Sequence, residues 1–211
     1  MAPLVSVIIP TYSRPRLLMD RAIPSVYAQT MGDWELLVVG DGTDPITVSE
    51  MEALAAFDPK VRFWNLPHFP YPDDHDKAWG LYGLAALNHG LDHARGDWIA
   101  VLGDDDEFTS DHHRILLDAA DQSGADHVYG ISDTYKDGRF TGQQYGDWPP
   151  REAAFTNGAN LYRRSLDFRY DLTCMERGVT GDADLWSRMF AAGVPFHFVR
   201  KVVHKYHRNY P

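Results

Sequence analysis

Five consecutive residues, Gly103-Asp104-Asp105-Asp106-Glu107, carry the strongest chemical signal in the chain. Adjacent carboxylates repel one another, so a fold holds them either at a solvated turn or around a divalent cation. Oxygen donors of this kind suit Mg2+ and Mn2+; the plainer alternative is an acidic turn that opens the next helix. The histidines are weaker candidates. His89 and His93 stand four apart on a helical stretch and would hold a metal only with further ligands, and His112-His113 sit on another. Packing or surface roles are expected for both pairs. Cys174 is the only cysteine, which excludes an internal disulfide and a zinc site built on cysteines. Thirty Asp and Glu against twenty Lys and Arg give a net charge of −10. A nucleic-acid partner, which needs a basic face, is therefore not expected. A single diphosphate stays within reach of such a chain, through a cation seated on carboxylates.

The elements that must position these residues alternate. Val5–Ile9 reads as a buried strand stopped by Pro10. A helix follows, with Ser13 as its cap and Pro15 in the first turn. Leu36–Val39 is the next strand, then a weaker helix over 47–57 and a strand at Val61–Trp64. The pattern predicts one helix over 76–93, a strand at Trp98–Leu102, a helix over 111–122 and a strand at His127–Ile131. Strands this apolar, alternating with helices, imply a mostly parallel sheet covered on both faces. Ligands of such sheets bind beyond the carboxyl ends of the strands, which singles out the loops after Ile9, Val39 and Leu102. Residues 132–155, with Gly138, Gly142, Gly146, Pro149 and Pro150, suggest a hairpin or mobile loop. A helix over 182–192, a last strand over Phe196–Val203 and a polar tail over His204–Asn209 complete the chain. At 211 residues, with 44% hydrophobic and 24% charged side chains, one globular domain is expected, and no apolar run approaches a membrane span. The N-terminus shows no secretion signal, so a cytoplasmic location is expected, with peripheral attachment at a membrane left open.

Four segments carry a resemblance. Val5–Tyr12 is similar to the opening strand and loop of the GT-A glycosyltransferases, specifically the inverting family 2, and Val38–Asp44 to that family's "VDDGSxD" loop. Ala94–Asp106 resembles "A-x-G-[DE]-[YW]-I-x-x-L-D-x-D-D", and Gly181–Arg188 resembles "E-D-x-D-L-W-x-R". The resemblance implies a GT-A (Rossmann-like) α/β fold: a mostly parallel sheet flanked by helices, in a single domain with a small acceptor-side annex. Residues 1–106 would form the nucleotide-sugar-binding half of the 1–211 domain and 107–211 the acceptor-binding half. The implied activity is inverting, metal-dependent transfer of a sugar from a nucleotide-diphosphate sugar, UDP-sugar favoured, to an acceptor hydroxyl.

The resemblance also assigns roles. Pro10, Thr11 and Tyr12 would line the nucleotide pocket, with Tyr12 near the base and Asp41 accepting a hydrogen bond from it. Asp105 would contact ribose or metal, and Asp104, in the motif's variable position, is a further candidate. Asp106 would be the principal ligand of Mn2+ or Mg2+, joined by His204 or His207, with Arg208 on the diphosphate. Asp182 would deprotonate the acceptor hydroxyl, and Asp184 would be structural or part of the acceptor pocket. The chain departs from the pattern at Gly40, Gly103 and Gly181, where the family carries acids, and at Leu87, before Asn88, where it carries arginine. Lys77, Arg95 or the C-terminal cations are the substitutes for that arginine. The Pro67–Lys77 insertion is expected to be a solvated loop, with an acceptor-side lid or a second cation site as alternatives. The aromatics Tyr135, Phe140, Tyr145, Trp148 and Phe155 would suit a sugar ring or an apolar aglycone, or else a packed annex or a homodimer contact. Glycan, lipid-linked and small-molecule acceptors all remain open. A nucleotidyltransferase and a non-catalytic sugar-nucleotide-binding module are the alternatives; the loop Thr11–Arg16 has no glycine to cradle a triphosphate, which speaks against the first.

Overall fold

The apolar runs of the N-terminal half are strands buried on both faces. In the computed structural model, which describes residues 3–149 and 155–208, β1 (Val5–Thr11) sends Val5, Val7 and Ile9 into one core and Ile8 into another. Alternate side chains of a strand point to opposite faces, so an uninterrupted apolar run is what a doubly covered strand requires. β2 (Trp34–Asp41) and β4 (Trp98–Val101) follow the same rule and pair parallel to β1 on its two sides, and β3 (Val61–Leu66) pairs parallel to β2. Beyond β4 the sheet turns mixed. Its order is β3-β2-β1-β4-β8-β6-β9-β5, with β8 at Asn160–Arg163, β6 at His127–Lys136, β9 at Phe196–His207 and β5 at Glu107–Phe108; β7 (Arg139–Tyr145) forms a hairpin with β6. That hairpin turns at Asp137-Gly138, both at positive φ.

Helices cover both faces. One core takes α2 (Ile23–Tyr27), α3 (Pro45–Phe57) and α6 (His112–Ser123); the other takes α5 (Leu84–His93) and α7 (Gly181–Ala191). Asp44 caps α3, its carboxylate accepting from the Ile46 and Thr47 amides at 2.9 and 3.0 Å. Ser13 does not cap the first helix: α1 (Pro15–Leu17) starts after Arg14 without a side-chain cap and passes through a π turn, Leu18–Ala22, into α2. The helix expected over 76–93 is two. α4 (His75–Trp79) stops at Gly80, and α5 restarts only after Gly83 takes φ +75, a conformation the helical spacing of its neighbours does not reveal. Residues 204–207 are no tail either. They are the end of β9, with His204 fully buried and His207 nearly so. Pro150 and Asn209 lie outside the described residues.

Glu35 ties the parallel half together. Its buried carboxylate accepts from Ser6 Oγ at 2.6 Å, the Arg95 amide at 2.7 Å and Arg62 Nη2 at 2.6 Å. Glu35→Ala removes all three bonds; the Arg95 amide keeps Ser6 Oγ at 3.2 Å and Arg62 keeps the His93 carbonyl at 2.7 Å, so the expected cost is about 2 kcal/mol, read as a lowered urea midpoint at unchanged slope.

Candidate active site

The loops after β1 and β4 are stitched to each other, as neighbouring parallel strands permit. All three carboxylates of Asp104–Asp106 are buried. Thr11 Oγ1 donates to Asp104 Oδ2 at 2.9 Å, and Arg14 donates to Asp105 Oδ2 while lying 3.5 Å from Asp104 Oδ1. Arg21 Nη1 donates to the Asp105 carbonyl at 2.7 Å. Burial, with Asp105 beside it, pushes the Asp104 carboxyl up to about 6. Arg14 is a site residue that the sequence reading missed. Its only signal is its place two residues past Tyr12 in the loop after β1.

Asp106 faces β9. Its Oδ1 accepts from the His207 backbone amide at 2.7 Å, and its Oδ2 lies 3.5 Å from His204 Nε2. Ser132 Oγ and Thr156 Oγ1 each lie 3.0 Å from His204 Nδ1, so the ring is held by one nitrogen while Nε2, fully buried, has no hydrogen-bond partner. Gly158 makes this approach possible, because a Cβ there would stand 2.1 Å from His204 Nε2. The His207 ring instead meets Glu107 Oε1, at 2.8 Å. Among the described residues no three His, Cys, Asp or Glu side chains are arranged as a ready metal cage. An orphaned buried imidazole nitrogen facing a carboxylate is nevertheless a fitting pair of donors for Mn2+ or Mg2+.

A cavity of about 460 Å3 brings Asp105 and Asp106 together with Asp182 from the far end of the chain, with Pro10 also in its wall. Asp182 sits in the first turn of α7. Its Oδ1 accepts from Thr180 Oγ1 and from the Ala183 amide, both at 2.8 Å, and Oδ2 has no hydrogen bond to a described residue. Asp184 is buried in a different contact, accepting from Arg177 at 2.6 Å and Arg188 at 2.7 Å. Two of the departures from the family pattern are filled by packing, while Gly103 lines the cavity. A Cβ on Gly181 would meet Leu84 at 2.4 Å, and one on Gly40 would meet Asn65 Oδ1 at 2.6 Å. Asn88 exchanges hydrogen bonds with the Tyr170 backbone at 2.8 and 2.9 Å. Arg208 Nη2 donates to Tyr145 Oη at 2.7 Å, and Tyr145 lines the cavity. Of the other aromatics named from sequence, Phe155 lines it too, Tyr135 stacks on His207, and Phe140 and Trp148 stand exposed outside it. Trp79 and Tyr82, missed because one continuous helix was expected there, form part of its wall.

The Pro67–Lys77 insertion is not simply a solvated loop. Asp73, Asp74 and Asp76 are exposed, but the first half folds as a strap over Asp41. The Phe69 amide donates to Asp41 Oδ1 at 2.7 Å, Tyr71 Oη donates to Asp41 Oδ2 at 2.5 Å, and the His68 ring stacks on half-exposed Tyr12 at 4.8 Å. Both oxygens of the buried Asp41 carboxylate are thus engaged by the chain itself, and burial together with Asp41 pushes the Tyr71 phenol well up.

Residues 6–69 and 74–182 match the model of glycosyl transferase family 2. The chain belongs to that family. Its fold is of the GT-A type, one α/β unit whose mixed sheet is parallel through its N-terminal half. The GalNAc(5)-diNAcBac-PP-undecaprenol beta-1,3-glucosyltransferase of Campylobacter jejuni is 30% identical over 139 residues, 66% of this chain and 41% of that protein. Among solved structures, S. aureus TarS 1-349 in complex with UDP-GlcNAc superposes with a TM-score of 0.69 at 14% identity, covering 98% of this chain and 59% of that one. Mannosyltransferase PcManGT from Pyrobaculum calidifontis, in complex with GDP-Man and Mn2+, does so with a TM-score of 0.67 at 16% identity, covering 97% and 57%. The family 2 chain described here thus spans only about half the length of these proteins. Among its described residues no helix is long and apolar enough to cross a membrane.

Proposed function

We propose that the chain transfers a sugar, with inversion, from a nucleotide-diphosphate sugar to an acceptor hydroxyl. Residues 1–106 furnish the donor half and 107–211 the acceptor half, except that Trp79 and Tyr82 reach across to line the cavity beside Asp182. The observation that carries this reading is the shared cavity: the Asp105-Asp106 pair at the end of the parallel sheet faces the same space as Asp182 on α7. A donor held at the first and an acceptor hydroxyl at the second would meet across it. Asp182 Oδ2 takes the hydroxyl proton, while the Thr180 and Ala183 bonds to Oδ1 hold the carboxylate in one orientation.

On the donor side, Pro10, Thr11 and Tyr12 line the path of the nucleotide, and Asp104 and Asp105 sit at its ribose end. Mn2+ or Mg2+ would be held by Asp106 and His204 and would offset the charge of the diphosphate. Arg14 is placed nearer to this end than Lys77 or Arg95, which are exposed, and takes the role of the absent family arginine together with Arg208 at the rim. For the base to reach Asp41 it must displace Tyr71, exchanging a phenol O–H for an imide or amide N–H. UDP is the favoured nucleotide on the resemblance to the family, with GDP and dTDP the next to be tested.

Titrating the chain with UDP, GDP and dTDP in a calorimeter, with and without Mn2+, tests this. One nucleotide, UDP, is expected to bind in a Mn2+-dependent way. Asp106→Ala is expected to weaken that binding at least roughly tenfold, and more if the cation is lost outright. Failure of every nucleotide to bind overturns the reading. Binding without any sugar transfer would make the chain a sugar-nucleotide-binding module.

A further inference from the structure

We propose that the acceptor end of the cavity takes an uncharged sugar ring, stacked on Trp79 and Tyr82 with a hydroxyl turned to Asp182. The proposal rests on the transferase reading and adds the chemical class of its acceptor. The break between α4 and α5 puts Trp79 and Tyr82 into the cavity wall, 48% and 51% exposed. The same break is pinned to the turn that carries Asp182, because the Gly181 amide donates to the Gly80 carbonyl at 3.1 Å. The aromatic wall and the carboxylate therefore share one anchor. Tyr145 and Tyr206, in edge contact with their ring centroids 6.0 Å apart, are also part of the lining.

A pyranose ring has an apolar C–H face and a rim of hydroxyls. The exposed aromatic faces answer the first. Asn157 answers the second: its Oδ1 accepts from Tyr170 Oη at 3.1 Å, and its Nδ2 has no hydrogen bond to a described residue. A plain hydrocarbon would displace water from Asn157 Nδ2 and Asp182 Oδ2 without offering either a hydrogen bond, which is costly. Charge narrows the class further. Three carboxylates line the cavity, and among the described residues no Lys, Arg or His does. A phosphate on the acceptor would meet Asp182 with no counter-charge beside it. The phosphates of an acceptor's carrier are therefore expected to lie away from the Asp182 end, with only the neutral sugar beside it.

The test uses the full chain with UDP and Mn2+, saturation-transfer NMR and tryptophan fluorescence. The probes are methyl glucoside, methyl N-acetylglucosaminide, the 6-phosphates of both, and hexanol. The neutral glycosides are expected to bind through their ring C–H protons, with the 6-phosphates about tenfold weaker at low salt. Trp79→Ala and Tyr82→Ala are each expected to weaken glycoside binding by up to about tenfold, with Trp79→Phe within about threefold of the parent. UDP affinity should stay within about twofold in all three variants, which also reports that they are folded. Equal binding of the 6-phosphates, equal competition by hexanol, an unaffected Trp79→Ala variant or no glycoside binding at all would each overturn the proposal. Glycoside binding by a chain that binds no nucleotide would overturn the transferase reading instead and leave the sugar site standing.

Discussion

Asp182→Asn is expected to lower kcat by about three orders of magnitude while leaving the affinity for the nucleotide donor within about twofold. The substitution is nearly isosteric, and an amide oxygen can still accept from Thr180 Oγ1 and the Ala183 amide, so the first turn of α7 keeps its geometry. What the amide cannot do is take a proton. A loss of this size corresponds to about 4 kcal/mol of transition-state stabilisation, within the range for a positioned general base. Donor affinity should stand, because Asp182 is on α7 whereas the acidic loop is fixed by Thr11, Arg14 and Arg21 from the other end of the chain. Parallel measurement of nucleotide release and calorimetric affinity decides the matter. A kcat within tenfold of the parent would remove Asp182 from the chemistry; a parallel loss of affinity would mean that it holds the donor.

Acidification should destabilise the protein well before most of its carboxylates are protonated. His112, His113 and His127 are fully or almost fully buried, and among the described residues no well-formed hydrogen bond reaches their ring nitrogens, His112 having only a weak contact with the Gly158 backbone. Burial holds His113 and His127 down to about 3 and His112 well below its ordinary value. In the unfolded chain all three titrate near 6.5, so below that pH the unfolded state binds more protons and stability falls as pH falls. Three such groups remove about 4 kcal/mol per pH unit once well below 6.5. Asp104 works the other way, since its raised folded value favours the folded state between about 6 and its unfolded range. Between pH 7 and pH 5 the net loss is about 4 kcal/mol, much of the stability of an ordinary domain. Urea midpoints at pH 7, 6 and 5 measure it. In His127→Phe, where the ring already packs among Phe196, Tyr162, Trp186 and Phe155, about a third of the histidine slope should vanish. A stability unchanged from pH 7 to pH 5 would contradict the account.

The parallel half was legible because double burial writes itself as uninterrupted apolar sequence: Val7-Ile8-Ile9, Leu36–Val39 and Ile99–Leu102 admit no amphipathic reading. The acidic loop was legible because clustered like charges need a reason. What escaped were features whose cause lies in a distant residue. Strand β8 has four residues and β5 only two, and each exists by pairing with a neighbour remote in sequence. The break at Gly80–Gly83 sits within a helical pattern and is stabilised from Gly181. The strap over Asp41 depends on Tyr71 reaching across thirty positions. For His112 and His113 packing and surface roles were both expected, and nothing local showed that they are completely enclosed.

The twelve-residue strand β9 runs between β6 and β5, parallel to the first and antiparallel to the second, although it follows both in sequence. The sheet is therefore completed from within, by insertion rather than by addition at an edge. During synthesis β1–β8 are available before this strand, and until it docks, β6 and β5 each present an unpaired row of backbone groups to any other chain nearby. Asp106 meanwhile lacks the amide that His207 later donates. Completion of the acidic loop's hydrogen bonds and sealing of the sheet are thus one event, and a chain without β9 is expected to lose both and to be open to aggregation.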